Sequence, residues 1–168
     1  TTGWTTNDLL GSESAPLIAG LGPLQDNGGP TPTMAWLPFS FGIDRGHRGS
    51  LSADQRGRPR PYDGNFGNSV GGDGSDIGAH EVQPPRIIAQ PSPTNLFVPA
   101  GSDVMLNVVA LADSTHYNLL NYSWARYGFA IPGATDAIFN LTNVQPAAGG
   151  LYSVTVKDSG FNYTESSV

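Results

Sequence analysis

Turn-forming residues dominate positions 21–81 and leave little of this stretch able to form a helix or a long strand. The densest blocks are residues 22–33, 43–46, 54–61 and 76–81, and Gly, Pro, Asn and Asp recur in them. The backbone preferences of these residue types fix turns one at a time. Because so many turns follow one another, we expect a rigid irregular layer here and not a flexible linker.

The amino-acid composition changes near Pro84 and Pro85. Most of the glycines and five of the seven arginines lie before this point, and alternating β-branched and aromatic residues follow it. A chain of 168 residues can form two small domains, and we place them at residues 1–83 and 84–168. Each is close to the size at which a single hydrophobic core is marginal.

The composition excludes several kinds of site. The chain has no cysteine, which excludes disulfides and thiolate metal sites. A net charge of −6 and a single lysine, Lys157, argue against a general nucleic-acid surface. The charge therefore predicts no nucleic-acid partner. We find no apolar run long enough to span a membrane, and we predict no membrane span.

The four blocks rich in turn residues follow one another along the chain in the order found in a known family. They resemble the C-terminal region of large bacterial surface and secreted proteins built on right-handed parallel β-helices. The pattern of that family reads GPLxDNGGPTPT, then AIDxG, then DQRGxPRP, then DIGAxE, and the resemblance covers roughly residues 17–81. The chain departs from it at residues 39–42, where the family has a Gly-Ser-Pro-Ala stretch. The resemblance implies an irregular Gly/Pro-rich domain like the end of a β-helix, on a bacterial cell surface or outside the cell.

Alternating side chains predict strands in the second half. Residues 104–110, 121–126, 137–141 and 151–157 each place apolar side chains at every second position, which is the period of a strand. Turn residues separate these runs. Short strands at this spacing predict an antiparallel β-sandwich.

Particular residues of this half resemble bacterial immunoglobulin-like domains. Trp124 stands where strand C of that fold supplies its core indole, and Tyr152 resembles the tyrosine of its tyrosine corner. Val108 and Val154 stand where antibody domains carry their disulfide. The resemblance implies a sandwich with these four residues in its core. Ala148 replaces the usual Asp of the corner, so we expect a slightly looser corner.

The last strand of the resembled fold is short or incomplete in this sequence. Residues 161–168 begin it and then stop. Either the sequence is part of a longer chain, or the open edge accepts a strand from a neighbouring copy, because unpaired edges invite pairing. Residues 1–7 are a candidate donor, with Trp4 as its anchor, although Trp4 can equally pack on its own domain. Repeated insertion would build an open filament.

We find no pattern typical of a catalytic site. The histidines at 47, 80 and 116 lie far apart and outside any zinc-binding spacing, and no nucleophile motif is present. Acidic residues crowd one region, where they either cap turns or form the carboxylate pair of a polysaccharide-cleaving enzyme. They are Asp44, Asp54, Asp63, Asp73, Asp76 and Glu81. We favour the structural interpretation and predict no enzyme activity.

Calcium is the one metal that the sequence suggests. Asp63, Asn65, Asp73 and Asp76 place oxygen ligands on Gly-rich loops, as a calcium site requires, although the spacing does not match an EF-hand. We predict no other cofactor.

Five arginines form the one basic cluster of the sequence. Either they bind turn carbonyls and the interleaved aspartates, which we favour, or they bind an anionic polysaccharide or an acidic subunit. These arginines are Arg45, Arg48, Arg56, Arg58 and Arg60.

The sequence as a whole predicts a non-catalytic extracellular structural module of a bacterial surface protein, a fibre or sheath subunit that assembles by strand addition. Its partners would be further copies or neighbouring domains of a larger chain. The alternative is a carbohydrate-binding or adhesive module in which an exposed aromatic side chain such as Trp36, Tyr62 or Tyr127 stacks on sugar rings. A fragment of a polysaccharide-active enzyme is the third interpretation.

Overall fold

The computed structural model describes residues 11–64, 66–114, 117–160 and 163–166. The chain divides into two compact units, Thr1–Gln83 (unit 1) and Pro84–Val168 (unit 2). The strands are β1 Leu21–Gln25, β2 Thr33–Trp36, β3 Arg86–Ser92, β4 Val104–Leu111, β5 Asn121–Arg126, β6 Phe129–Ala130, β7 Ile138–Leu141, β8 Tyr152–Lys157 and β9 Tyr163–Glu165. One 3₁₀ turn, Pro146–Ala148, precedes β8.

The prediction of a mostly β chain is confirmed. Every pair among the described strands is antiparallel, and no α-helix occurs in the described residues. Nor do these residues contain a helix with the length and apolar character needed to cross a lipid bilayer.

The described residues of unit 1 contain one hairpin, formed by β1 and β2. Its turn is held by side chains, because Asn27 Nδ2 donates to the Thr33 carbonyl at 2.8 Å and Asp26 Oδ1 accepts the Gly28 N–H at 2.8 Å. Gly28 has a φ of 82°, which favours glycine. The Asp-Asn-Gly-Gly sequence therefore specifies this turn directly.

The other described residues of unit 1 form a set of turns joined by isolated main-chain hydrogen bonds. Gly46 N–H donates to the Ser75 carbonyl at 2.7 Å, and Gln55 N–H donates to the Ala79 carbonyl at 3.0 Å. The described residues of unit 1 contain no parallel strand pair. The likeness to a β-helix end stays a prediction from the sequence.

The segment 39–42, where the chain departs from the β-helix pattern, is shaped by Trp36. A Cβ atom at Gly42 would lie 2.0 Å from the Trp36 ring, so only glycine fits there. The indole is buried, and its Nε1 donates to the Ile77 carbonyl at 3.1 Å. The close approach of ring and main chain explains the glycine at this position.

Unit 2 is built from two antiparallel sheets. Their strand orders are β3-β4-β7 and β6-β5-β8-β9. With β3 as strand A, β4 as B, β5 as C, β7 as E, β8 as F and β9 as G, this is the order of an immunoglobulin-like sandwich. The last strand, β9, has three residues.

The core of unit 2 lies around Trp124. This side chain is fully buried, stacks on Phe139 with 5.7 Å between ring centroids, and donates from Nε1 to the Asp136 carbonyl at 2.8 Å. Val108 and Val154 are buried in the same cluster. Burying each valine stabilises the fold by about 1.5–3 kcal/mol, which lets the sheets pack without a disulfide.

Tyr152 is half-buried at the edge of this core. Its hydroxyl donates to the main-chain carbonyl of Ala148 at 2.6 Å. Because the corner bond uses the main chain, it does not need an Asp side chain at position 148.

Candidate functional site

The charged residues of the turn blocks gather in one buried network in unit 1. Its members come from three separated blocks and are all less than a tenth exposed. We call them the ion network: Asp44, Asp54, Arg56, Arg60, Asp76 and Glu81.

Asp54 is the first anchor of the ion network. Its Oδ1 accepts the N–H groups of Arg56 and Arg58 at 2.8 and 2.9 Å, which closes the turn between them. Its Oδ2 accepts Arg56 Nε at 2.8 Å and the Glu81 N–H at 3.1 Å. One carboxylate therefore fixes a local turn and ties it to a residue 27 positions away.

Glu81 is the second anchor. Its Oε1 accepts the Tyr62 N–H at 2.7 Å, and its Oε2 accepts the Asp76 N–H at 3.0 Å and lies 3.2 Å from Arg60 Nε. Arg60 also donates to the carbonyls of Gly78 and Asp76. The guanidinium thus binds both the carboxylate and the turn that leads to it.

Asp44 and Asp76 complete the ion network through main-chain bonds. Asp76 accepts the Asp44 N–H at 2.8 Å and the Val82 N–H at 2.6 Å. Asp44 accepts the Gly64 N–H at 3.2 Å and the Phe66 N–H at 3.1 Å.

Burial governs how the carboxyl groups titrate. It raises the pKa of Asp76 to about 7, against the bonds from Val82 and Asp44. Burial also raises the pKa of Asp44 and of Glu81. Burial acts in the same sense on Asp54, but the bonds from Glu81, Arg58 and Arg56 outweigh it and hold the pKa of Asp54 below its ordinary value.

These bonds define what the ion network does. Each of its four carboxyl groups is buried and accepts at least two main-chain N–H groups, so each stabilises a turn. Arg56 and Arg60 bind turn carbonyls and these carboxylates, which is the structural interpretation that the sequence favours for its basic cluster. A glycosidase instead needs a carboxylate pair that flanks a substrate.

The residues predicted to bind calcium lie in different surroundings. Asp76 is buried in the ion network, whereas Asp63 is exposed and Asp73 pairs with Arg48 at 3.6 Å. Asn65 lies outside the described residues. In the described part of the chain, no group of three or more His, Cys, Asp or Glu side chains is arranged to hold a metal ion. Calcium binding stays a prediction.

The aromatic residues considered for sugar stacking differ in exposure. Trp36 is buried against Gly42, so its expected exposure was wrong, because the ring fills the space over the 39–42 turn. Tyr62 is half-buried. Tyr127 is 57% exposed, at the turn between β5 and β6, with Arg126 lying 5.5 Å from its ring centroid.

The candidate strand anchor and two further buried residues remain to be compared with the predictions from the sequence. Trp4, the candidate strand anchor, lies outside the described residues. Val156, which the alternation of residues 151–157 places on the same face as Val154, is fully buried. Tyr117 is also fully buried but was not predicted, because it lies in a loop where periodicity gives no signal.

Unit 2 contains an uncharged cavity of about 550 Å³. It is lined by the segment after β3, by the turn before β8 and by Tyr152 at the start of β8. Val104 and Leu106 of β4 form part of its wall. Among the described residues that line it, none is Asp, Glu, Lys or Arg.

No family model matches the chain, and no curated protein matches it. Similar solved structures include Sidekick-1 immunoglobulin domains 1–4, with 27% identity over 54% of this chain and 24% of that chain and a TM-score of 0.44. They also include Sidekick-1 immunoglobulin domains 1–5, with 27% identity over 54% of this chain and 20% of that chain and a TM-score of 0.42. The chain matches about a quarter or less of each.

Replacing Arg56 by Met should destabilise unit 1 by about 3–5 kcal/mol, because the buried carboxylate of Asp54 would lose the cation that balances it. The matched control is Arg58→Met, whose side chain is only partly buried and which should cost less than about 1 kcal/mol. Hydrogen exchange of peptides from residues 43–82, measured across a urea series, checks both. If both variants lost the same amount of stability, the ion network would not depend on the Arg56–Asp54 ion pair.

Unit 1 should become more stable as the pH falls from about 7 toward about 4. In this window folded Asp76 holds a proton that the unfolded chain releases, since its pKa is raised to about 7. The raised pKa values of Asp44 and Glu81 act in the same direction, and the lowered pKa of Asp54 opposes them only below about pH 4.

The free energy of unfolding should therefore rise by roughly 2–4 kcal/mol between pH 7.5 and pH 4.5. Urea unfolding at both values, followed by exchange-labelling pulses at one fixed pH, measures it. In the Asp76→Asn variant most of the difference should disappear. If the free energy of unfolding of the unmodified chain fell on acidification, the proton taken up on folding could not be assigned to Asp76.

Proposed function

We propose that the chain is a non-catalytic structural module of a bacterial surface protein, located outside the cell and assembling with further copies by strand addition. In this proposal unit 1 is a rigid end segment related to the last coils of a parallel β-helix. Unit 2 is the immunoglobulin-like sandwich that follows it.

One observation carries this proposal. The residues best suited to chemistry in unit 1 are buried and bonded to main-chain groups, as Asp54 and Glu81 illustrate. Such bonds couple turns that are far apart in sequence, which suits a part that must keep its shape. The bacterial surface origin is supported by the four sequence blocks, three of which contribute to the ion network.

Strand addition is supported by the form of unit 2. Its last strand, β9, pairs with β8 over Thr155–Lys157, and an uncharged cavity lies beside the other end of β8. Strand edges with unpaired main-chain groups bind extended segments from other chains. A contact of this kind between unlike surfaces propagates into open assemblies.

The purified chain should therefore form open, concentration-dependent assemblies and release no reducing ends from polysaccharides. Sedimentation velocity and electron microscopy of the untagged protein measure the first, and a reducing-sugar assay on acidic and neutral polysaccharides measures the second. Monomers at every concentration would end the assembly proposal. Turnover that is lost in an Asp or Glu variant would end the non-catalytic one.

Carbohydrate binding is a second candidate, and the position of Tyr127 favours it. This ring is exposed at a hairpin tip, next to the guanidinium of Arg126 and the exposed Phe129. Tyrosine presents an apolar face and a polar tip, which suits contact with a sugar ring.

On a glycan array, Tyr127→Ala should abolish any selective binding while Tyr163→Ala preserves it. Tyr163 is a matched control because it is also 57% exposed and lies beside a cation, Lys157. Binding that both variants retain would assign the sugar contact to another surface. The absence of any binding by the unmodified chain would end this candidate.

A further inference from the structure

The outer edge of β7 presents main-chain groups that point away from the rest of its sheet. Val108 N–H donates to the Ala137 carbonyl at 3.0 Å, so Ala137 and Phe139 direct their N–H and carbonyl groups toward β4. Hydrogen-bonding positions alternate along an antiparallel ladder, so the N–H and carbonyl groups of Ile138 and Asn140 point outward. In the described part of the chain β7 is the last strand of its sheet, and no hydrogen bond reaches these outward groups.

The other described sheet edges of unit 2 carry features that discourage pairing. β3 contains Arg86 and Pro91 and shifts its register twice against β4. β6 has two residues, and β9 has three, one of which is Glu165. Charges, proline, bulges and very short strands are the usual means by which proteins block edge pairing. β7 has no charge, no proline and no register shift, so it is the described edge best able to pair with a further strand.

The edge of β7 is complementary to itself. If two copies of β7 run antiparallel about a two-fold axis at Phe139, Ile138 of each copy lies opposite Asn140 of the other. Both residues are exposed, and both direct their main-chain groups outward. Each of the two pairs would therefore exchange both of its N–H···O bonds. Phe139, which is half-buried, would lie opposite its counterpart at a position where cross-strand side chains are closest.

The charges near β7 are compatible with a second copy as the partner. The chain has a net charge of −6, so two copies repel each other over much of their surface. An uncharged edge adds nothing to this repulsion. The acidic residue that precedes β7, Asp136, would lie opposite Thr142 of the other copy in this register. Like charges directly opposite each other, which destabilise strand pairs, are thus avoided.

We propose that β7 pairs with β7 of a second copy and joins the two three-stranded sheets into one continuous sheet. This inference rests on the proposed assembly by strand addition and names the edge at which two copies meet. The contact is two-fold symmetric and closes after two copies, so a fibre would need a different contact in addition. Because the paired edges are short, the dissociation constant should be roughly 10–100 µM.

Sedimentation equilibrium of the full chain, from about 5 to about 500 µM, measures this dissociation constant. Asn140→Pro should weaken association about tenfold or more, because proline removes an N–H that points outward and leaves the ladder with β4 in place. The matched control is Asn140→Thr, which keeps the N–H on a β-branched residue. It should change the dissociation constant by less than about threefold.

Two lysine variants separate the edge from the outer face of the same sheet. Ile138→Lys places a charge on the edge and should weaken association about tenfold or more. The control is Val109→Lys. Val109 is 41% exposed on β4, lies opposite Ala89 of β3 and is beyond the residues that pair with β7, so this change should leave association intact. Urea unfolding of each variant establishes that unit 2 is still folded.

The register is tested with cysteine, which the unmodified chain lacks. Residues opposite each other at a hydrogen-bonded position have Cα atoms about 5.5 Å apart, within the range of a disulfide. An equal mixture of Ile138→Cys and Asn140→Cys chains should therefore form intermolecular disulfides at least about fivefold faster than either variant alone.

The outcomes separate this inference from the proposed function. Association that Asn140→Pro and Ile138→Lys both retain overturns the β7 contact and leaves assembly standing. If Val109→Lys weakened association as strongly as Ile138→Lys, the contact would lie on the outer face of the sheet and not at its edge. Disulfides that form no faster in the mixture overturn the two-fold pairing, even if Asn140→Pro does not fold. A chain that stays monomeric at every concentration removes the proposed assembly itself.

Discussion

Main-chain N–H groups bonded to buried carboxylates hold unit 1 in shape. Its described residues bury few large apolar side chains, chiefly Trp36, Ile43 and Val82. Turns also leave many main-chain donors without the partners that a helix or sheet would supply. Asp54 and Glu81 accept such donors from different turns at once. A carboxylate that bridges two turns therefore replaces the hydrogen-bond ladder that regular secondary structure provides.

The need for paired charges follows from that burial. A carboxylate without a cation in this environment would take up a proton, and the pKa of Asp76 shows the tendency. Asp54 stays ionised because the Arg56 guanidinium and the main-chain N–H groups of Arg58 and Glu81 donate hydrogen bonds to it. The arginines are thus required by the carboxylates, and the carboxylates by the turns, which explains why acidic and basic residues alternate through blocks rich in glycine and proline.

The sequence predicts unit 2 more completely than unit 1. Strand alternation is a local signal that predicts the strands of unit 2, and the resemblance to immunoglobulin-like domains implies that Val108, Trp124 and Val154 share one core. The bond from Glu81 N–H to Asp54 joins residues 27 apart with no period between them, and only the folded chain brings them together. The burial of Trp36 was missed for the same reason, because it depends on the approach of Gly42.

The same chemistry cannot serve shape and catalysis equally well. A carboxylate that accepts main-chain N–H groups in the folded state cannot turn those lone pairs to a substrate without releasing the turns that they hold. The carboxylates of unit 1 are engaged in this way, most completely at Asp54 and Glu81. Unit 2 instead has an uncharged cavity whose lining includes exposed apolar side chains such as Leu96, Phe97 and Leu151. Recognition by such a surface would depend on its shape and on contacts between apolar side chains, and not on paired charges.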